Sequence, residues 1–229
     1  MKHQNVILKL LQLSSSALPL GAYSYSEGLE TAIEQQKWIH SQSDLCQWLS
    51  QELSHGAIRL ETALMLRAYH CWLQGDVETL QYWNQWSSAV KETSELREQS
   101  WQMGNTLVRL LLALDTEAPN LAIQIKAVGN PCNYAIALGI VAAHWQIEEN
   151  LAILGHLHSW ATNVVNAGVK LIPLGQTAGQ QLLQELHPLM EATTAEILTL
   201  PDKELYSCSW GLGLASMQHE IQYSRLFRS

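Results

Sequence analysis

A glutamate and a histidine three residues apart on a helix could together bind a metal ion, and the sequence contains one such pair, Glu52 and His55. A di-metal helical bundle uses two Glu-x-x-His motifs and two further glutamates, and this chain supplies one of those motifs. A single short match in a helical chain is most often a solvated surface pair, which is our expectation here. The pair still defines one alternative function, a helical metal-binding oxidase.

Other residues with chemical potential lack the partners that their motifs require. His219 and Glu220 begin an H-E-x-x-H pattern, but Tyr223 stands where the second zinc ligand would be. His156 and His158 lie on different sides of a helix, so they do not share a metal ion. The sequence contains neither a P-loop nor a G-x-S-x-G nucleophile motif. We therefore predict no metal site, no stably bound cofactor and no catalytic residue, which favours a binding or scaffolding protein over an enzyme.

The composition indicates an acidic globular chain. Of 229 residues, 47% are apolar, and 21 acidic against 13 basic residues give a net charge of −8. This balance argues against binding to duplex nucleic acid or to an anionic membrane, because both need a basic surface. No stretch has the ~20 apolar residues that span a bilayer, and no signal peptide is evident. The four widely spaced cysteines favour reduced thiols, so we expect a cytoplasmic protein.

Apolar residues recur at helical spacing along most of the chain, without a βαβ alternation. One pattern continues from Leu45 to Cys71, preceded by Ser41 as a cap, and predicts one long helix. The helix over Cys132–Trp145 is apolar nearly all round and should lie at the centre. Three shorter helices are predicted after it, over Gln176–Leu186, Leu189–Leu200 and Lys203–Trp210. We predict one all-α domain over residues 1–229, a bundle of roughly eight to ten helices.

The segment Leu11–Glu30 differs from an ordinary helix. Its small residues form a long turn that presents Tyr23 and Tyr25 just before a helix that starts at Ser26. Two interpretations stay open. The tyrosines pack on the core beside a helix cap, or they form an interface, for which a large apolar face with a polar tip is well suited. A second loop is predicted over residues 115–120.

Two further segments are unusual. In Leu171–Gln180 a proline and a glycine break the chain, and Gln176 and Gln180 follow one turn apart. A structural kink in which these amides bond freed backbone groups is the simpler account. The tail Ser216–Ser229 carries two arginines, a tyrosine and the only phenylalanine of the chain. Because arginine and aromatic residues are common anchors at interfaces, we predict a mobile tail that orders when a partner binds.

Four patterns along the chain, taken together, resemble the UreF family of urease accessory proteins. The first, L-x-x-S-x-L-P-x-G-[GSA]-[FY]-[ST]-x-S-x-G-L-E, is matched over Leu11–Glu30. The others are R-x-x-S-x-x-M-G at Arg97–Gly104, P-L-G-Q-x-x-G-Q at Pro173–Gln180 and H-E-x-x-Y-S-R-L-F-x-S at His219–Ser229. The chain departs from the family at Tyr25, where many relatives have His, and at Lys170, where Arg is common.

The resemblance implies an all-α, typically homodimeric protein that is not itself an enzyme. Members of the family bridge a second accessory protein, UreD (also called UreH), and the GTPase UreG. The assembly supports delivery of nickel and carbamylation of a lysine in the urease apoprotein, so nickel and GTP are handled by the partners. The UreF-type subunit regulates the GTPase, either like a GTPase-activating protein or by coupling it to the assembly.

By the same resemblance, Tyr23 and Arg225 support the dimer and the surface that recruits the GTPase, and the tail orders on the UreD-type partner. An arginine supplied in trans would stabilise the transferring phosphoryl group, and Arg225 and Arg228 are candidates beside four other arginines. The alternative is a generic helical scaffold, in which Tyr23→Ala and Arg225→Ala change only stability. The residues assigned to partner binding or the dimer are Tyr23, Ser24, Glu30, Gln176, Gln180, His219, Glu220, Tyr223, Arg225, Leu226, Phe227 and Arg228.

Overall fold

Helices supply the regular structure in the residues that a computed structural model describes, 2–116 and 120–228, and these two ranges contain no strand. The all-α prediction is confirmed. In chain order the α-helices are α1 (Lys2–Leu13), α2 (Leu29–Glu34), α3 (Gln42–His55), α4 (Ala57–Gln74), α5 (Val77–Ala89), α6 (Ser94–Leu114), α7 (Leu121–Val128), α8 (Tyr134–His144), α9 (Glu149–Leu171), α10 (Gln176–Thr199) and α11 (Trp210–His219).

Single turns of 3-10 helix occur at Ala22–Ser24 and Asp202–Glu204. The predicted loop at 115–120 falls between α6 and α7, and its residues 117–119 lie outside the described part of the chain. Among the described helices, none combines the length and apolar character needed to cross a bilayer.

Helix α8 lies at the centre of the bundle, as its apolar sequence predicts. Residues 135–143 are all buried, and they pack mainly against α4 and α6. The helices approach closely because small residues line the contacts. A Cβ at Gly139 would lie 2.2 Å from the carbonyl oxygen of Met65, and a Cβ at Gly104 would lie 2.2 Å from that of Cys132. The side chain of a larger residue would therefore force these backbones apart.

The predicted long helix from Leu45 to Cys71 is wrong, because the chain breaks at Gly56 between α3 and α4. The carboxylate of Glu52 accepts hydrogen bonds from the backbone N–H of Ala57 (3.1 Å) and from the hydroxyl of Ser209 (2.7 Å). It thus caps the first turn of α4 and occupies the space beside Gly56, where a Cβ would lie 2.1 Å from Oε2 of Glu52. The predicted cap at Ser41 is present, since its hydroxyl accepts from the backbone N–H of Asp44 at 3.2 Å.

The C-terminal helices also differ from the prediction of three short ones. Helix α10 continues through Pro188 as one element, because its buried residues form a continuous stripe against α3 and α9 on both sides of the proline. The segment 205–209 is not helical, and the backbone N–H of Cys208 donates to the carbonyl of His55 at 2.7 Å. A contact distant in sequence therefore holds this segment extended across the α3–α4 break.

Candidate functional site: a clamp for the C-terminal segment

The buried carboxylate of Glu30 holds the end of the chain. Glu30 lies on the short helix α2 and is 1% exposed. Its two oxygens accept hydrogen bonds from the backbone N–H groups of Leu226 (2.6 Å) and Phe227 (2.9 Å). Hydrogen bonds to an ionised acceptor are stronger than neutral ones, and a buried charge requires such partners. Docking of the C-terminal segment is thus coupled to the placement of α2.

A second carboxylate, Glu95 in the first turn of α6, binds two side chains of the same segment. One oxygen accepts from Nη1 of Arg225 at 2.7 Å, and the other lies 2.9 Å from Nδ1 of His219. The guanidinium of Arg225 also donates to the carbonyls of Glu220 (2.6 Å) and Gln222 (3.0 Å). Arg225 therefore stabilises the turn that follows α11 and attaches that turn to α6.

His219 connects the two carboxylates. Its ring is fully buried, and Nε2 lies 3.5 Å from Oε2 of Glu30 on the side opposite to Glu95. We call these four residues, Glu30, Glu95, His219 and Arg225, the tail clamp. The clamp joins α2, α6 and the end of α11, so it fixes three elements that are distant in the sequence.

Further hydrogen bonds hold the tail along α2 and α6. Glu220 accepts from the hydroxyl of Ser94 at 2.6 Å, close to the N-terminus of α6, where an anion is stabilised. The hydroxyl of Thr31 donates to the side chain of Gln222 at 3.0 Å. Residues 220–225 are therefore held by hydrogen bonds from both charged and neutral side chains.

The last described residues pack on the loop before α2 and on the end of α9. The backbone N–H of Arg228 donates to the carbonyl of Ser24 at 2.7 Å. Phe227 is buried, and Nζ of Lys170 lies 5.6 Å from the centre of its ring, within the range of a cation–π contact. Lys170, one of the two departures from the family pattern, thus takes part in holding the tail.

Side chains of the tail and of the loop before α2 are exposed around the clamp. Tyr23, in that loop, is 72% exposed, and the tail residues Tyr223 and Leu226 are also exposed. The guanidinium of Arg228 is exposed as well and has no partner among the described residues, in contrast to Arg225. The site therefore combines a buried polar anchor with an exposed surface of aromatic, apolar and cationic side chains, which is typical of a protein-binding surface.

The structure does not bring every predicted residue to this surface. Gln176 and Gln180 are exposed on the first turns of α10, and no hydrogen bond joins them to the tail clamp within the described residues. Tyr25 is buried, and its hydroxyl donates to Gln102 at 2.8 Å, so the loop presents only Tyr23. The helix predicted to start at Ser26 begins at Leu29.

Sequence reasoning missed Glu95 and an apolar stripe on α11. Glu95 is an ordinary acidic residue in a first helical turn, so no local signal marks it. The stripe consists of Trp210, Leu214 and Met217 on α11 and continues with Ile221 in the turn after it; the four residues are spaced at three and four and are all exposed. That spacing was readable in the sequence, and it puts the three residues of α11 on one helical face.

The two residues of the Glu52–His55 pair lie in different environments. Glu52 is buried in its capping role, whereas His55 is exposed, so the expected solvated surface pair is wrong for Glu52. Burial raises the pKa of Glu52 to about 7, against the opposing effect of the hydrogen bonds from Ser209 and Ala57. Within residues 2–116 and 120–228, no group of three His, Cys, Asp or Glu side chains has the geometry to hold a metal ion.

A small polar chamber of about 60 Å³ lies between the helices, lined by Glu27, His156 and Trp160. Burial raises the pKa of Glu27 to about 7, although Trp160 Nε1 donates to its carboxyl at 2.8 Å. Burial lowers the pKa of His156 to about 4, so its ring is neutral. The hydroxyl of Thr62 donates to the carbonyl of Ile58 at 2.7 Å and hence accepts from His156 Nδ1 at 3.1 Å. Nε2 of His156 is therefore an acceptor.

The fold and the site together define a class: an all-helical protein whose docked C-terminal segment carries exposed aromatic, apolar and cationic side chains. Comparison with known proteins gives the family. The sequence model of a family described as UreF matches residues 39–187. A "Urease accessory protein UreF" from Trichormus variabilis is 62% identical over 222 residues, which are 97% of this chain and 95% of that protein.

Two further relatives carry the same name. The protein from a Nostoc species is 64% identical over 222 residues, with 97% of this chain and 95% of that protein covered. The protein from Microcystis aeruginosa is 55% identical over 229 residues and covers both chains completely. The chain belongs to the UreF family.

Proposed function

We propose that this chain is a non-catalytic urease accessory protein of the cytoplasm that bridges a UreD/UreH-type protein and a UreG-type GTPase during GTP-dependent delivery of nickel to the urease apoprotein. The proposal rests on membership of the UreF family and on relatives that are named urease accessory proteins. The observation that carries it is the tail clamp, which presents exposed tail side chains from a buried anchor.

Two neighbouring surfaces support binding to more than one partner. The tail presents Tyr223 and Leu226, and the apolar stripe of α11 begins two turns before the clamp residue His219. Exposed apolar side chains in a row are typical of a surface that another protein covers. We assign the stripe and the tail to the UreD/UreH-type partner, whose binding orders the tail further.

Regulation of the GTPase is proposed to depend on Tyr23 and on an arginine of the tail, in a homodimer of this chain. Arg225 is engaged by Glu95 and by two backbone carbonyls, so its release would disrupt the clamp. Arg228 has an exposed guanidinium and is the better candidate for an arginine acting in trans on a bound nucleotide. If the chain instead couples the GTPase to the assembly without accelerating hydrolysis, the same surface would bind the GTPase.

Co-expression with a UreD-type and a UreG-type protein, followed by size-exclusion chromatography, tests the proposal. We expect Tyr223→Ala with Leu226→Ala to remove the UreD-type protein from the complex while leaving the fold unchanged, because both side chains are exposed. Tyr82→Ala is the matched control, since Tyr82 is an exposed tyrosine on α5, away from the clamp contacts. A wild-type chain that elutes alone beside folded partners would contradict the bridging function.

GTP hydrolysis in the same complex separates the two modes of regulation. We expect Arg228→Ala to lower the hydrolysis rate without changing complex formation if the arginine acts on the nucleotide. An unchanged rate in an intact complex would favour the coupling role. If Tyr23→Ala and Arg225→Ala changed stability but neither binding nor hydrolysis, the chain would be a generic scaffold.

A further inference from the structure

Three tryptophans meet in an open cleft of about 320 Å³ between α3, the segment before it and the start of α11. The rings of Trp38 and Trp48 are stacked, with centroids 6.4 Å apart and planes inclined by 28°. Gly211 packs against them, since a Cβ there would lie 3.1 Å from the ring of Trp48. Trp210 lines the same cleft and is 79% exposed. We call these three residues the tryptophan cleft.

The charge at this cleft is negative. Its lining includes the carboxyl groups of Asp44 and Glu52 and contains neither lysine nor arginine. Hydrogen bonds from the backbone N–H of His40 and from Ser41 hold the pKa of Asp44 below its usual range. Asp44 is therefore ionised at neutral pH, while Glu52 is buried in its capping role. The cleft thus offers indole faces beside a carboxylate.

We propose that the tryptophan cleft binds an arginine side chain of the protein partner that docks along α11. A guanidinium group is planar and weakly hydrated, so it stacks on indole rings and gains from their negative faces. Asp44 would complement its charge. The proposal rests on the bridging function above and deepens it, because it assigns an anchor to the surface that the UreD/UreH-type partner covers.

Continuity with the α11 stripe favours a protein partner over a free cation. Trp210 is the first residue of the stripe and also a wall of the cleft, so a chain lying along α11 reaches the cleft without a gap. A second copy of this chain is the other source of an arginine. Its Arg59 and Arg67 are bound to Glu196 and Asp202, but its Arg228 is exposed, so self-association is measured below. We assign the partner of different sequence because the cleft is continuous with the α11 stripe that the proposed function gives to that partner.

The first experiment uses the full chain alone. N-acetyl-arginine amide and its neutral isostere N-acetyl-citrulline amide are titrated while the indole N–H resonances are followed by NMR. We expect the arginine compound to shift the resonances of Trp38, Trp48 and Trp210 at millimolar concentration, and the citrulline compound to leave them unchanged. Equal shifts with both compounds, or none at these tryptophans, would overturn the proposal.

The second experiment uses the full chain in complex with the UreD-type protein. Cys208 lines the cleft and is the exposed thiol among the four cysteines, so its alkylation by iodoacetamide reports on coverage of the cleft. We expect alkylation to slow about tenfold in the complex, in keeping with a desolvated interface centre. We expect Kd to rise about tenfold for Trp210→Leu and about threefold for Trp210→Phe, which keeps an aromatic face. Tyr82→Leu is the control for loss of an exposed aromatic residue.

The outcomes distinguish the cleft from the bridging function. If the complex forms but Cys208 reacts at an unchanged rate and Trp210→Leu binds normally, the cleft proposal is overturned and the bridging function stands. If no complex forms with the wild-type chain, the bridging function fails and the titration still decides whether the cleft takes an arginine. Loss of self-association in Trp210→Leu, with partner binding intact, would identify a second copy as the occupant and contradict our assignment.

Discussion

The carboxylate of Glu30 and the backbone N–H of Phe227 lie 2.9 Å apart, so a six-residue helix near one end of the sequence holds the other end. The same carboxylate binds the N–H of Leu226; the contact with Phe227 is buried and the contact with Leu226 is partly buried. This relationship makes the conformation of the tail a property of the fold, and it can be tested apart from any partner.

Replacing Glu30 should release the tail. We expect Glu30→Ala to destabilise the protein by about 1–3 kcal/mol, because the buried N–H of Phe227 and the partly buried N–H of Leu226 lose their acceptor. Glu30→Gln keeps one acceptor oxygen and should cost less. Hydrogen exchange of the amides of Leu226 and Phe227 is the measurement. Equal protection of these amides in the wild type and in Glu30→Ala would contradict the clamp.

Arg225→Ala should loosen the tail with little effect on global stability. The ion pair of Arg225 with Glu95 is partly exposed, so its loss should cost at most about 1 kcal/mol of unfolding free energy. Limited proteolysis of residues 220–228 should become faster, while urea denaturation changes little. Arg225→Lys should give an intermediate rate, because lysine keeps the charge but not the planar fork. Cleavage rates that match the wild type in both variants would show that Arg225 does not hold the tail.

Glu27, in the polar chamber, makes one contribution to the pH dependence of stability, which a single substitution should remove. The pKa of Glu27 is about 7 in the fold, above its ordinary value of 4.5, so the folded state holds the proton more tightly than the unfolded state. Its contribution to stability is complete below pH 4.5 and is lost as the pH rises through 7. The free energy of unfolding of Glu27→Gln, taken relative to that of the wild type, should therefore be about 2 kcal/mol higher at pH 8 than at pH 5.

Urea denaturation of both proteins at the two pH values measures this difference. Glu52, whose pKa is also raised to about 7, contributes in the same direction in both proteins. His156 contributes in the opposite direction, because its lowered pKa favours the fold as the pH rises from about 4 to 6.5. The comparison between variants cancels the contribution of His156. The charge of Glu27 also raises the pKa of Glu52, so Glu27→Gln reduces the Glu52 contribution in the same direction. An identical pH dependence in the wild type and in Glu27→Gln would contradict the raised pKa of Glu27.

The close approach of α6 to the start of α8 predicts a strong effect of one methyl group. We expect Gly104→Ala to destabilise the protein by about 1–3 kcal/mol or more, since the new Cβ would lie 2.2 Å from the backbone oxygen of Cys132. Gly175→Ala is the control, because Gly175 has φ −72° and no atom within 4 Å of its Cβ position. It should change stability by less than about 0.5 kcal/mol. Thermal or urea denaturation decides, and equal effects of the two substitutions would contradict the packing.

The sequence predicted correctly those features that depend on residues close together in the chain. The cap at Ser41 depends on a residue three positions later, and the central place of α8 follows from its own apolar composition. Both are confirmed. The break at Gly56 was missed because Glu52, which caps α4, leaves no periodic signal, and Ser209, which binds both Glu52 and the N–H of Ala57, is distant in sequence.

In the candidate site, too, residues marked by a sequence pattern were predicted, and those that depend on contacts distant in sequence were not. The tail motif marked His219 and Arg225 through the family resemblance, but Glu95, which binds both, lies in an ordinary first turn. Because proline has no backbone N–H, Pro188 predicted a helix end. Helix α10 nevertheless continues through it, since buried residues lie on both sides of the proline. The exposure of Tyr23 and the burial of its neighbour Tyr25 depend on the docked loop and not on either residue type.

The tail clamp also has a consequence for the order in which the protein folds during synthesis. Helix α2 has six residues, too few to be stable by itself, and its partners α11 and the tail leave the ribosome after α3 to α10. Helices α3 to α10 can therefore assemble while α2 has only α9 and still lacks the rest of its packing surface. Loop closure between such distant segments is slow, so completion of the clamp should be the late step of folding. A nascent chain would thus complete the tail clamp only after α3 to α11 have been made.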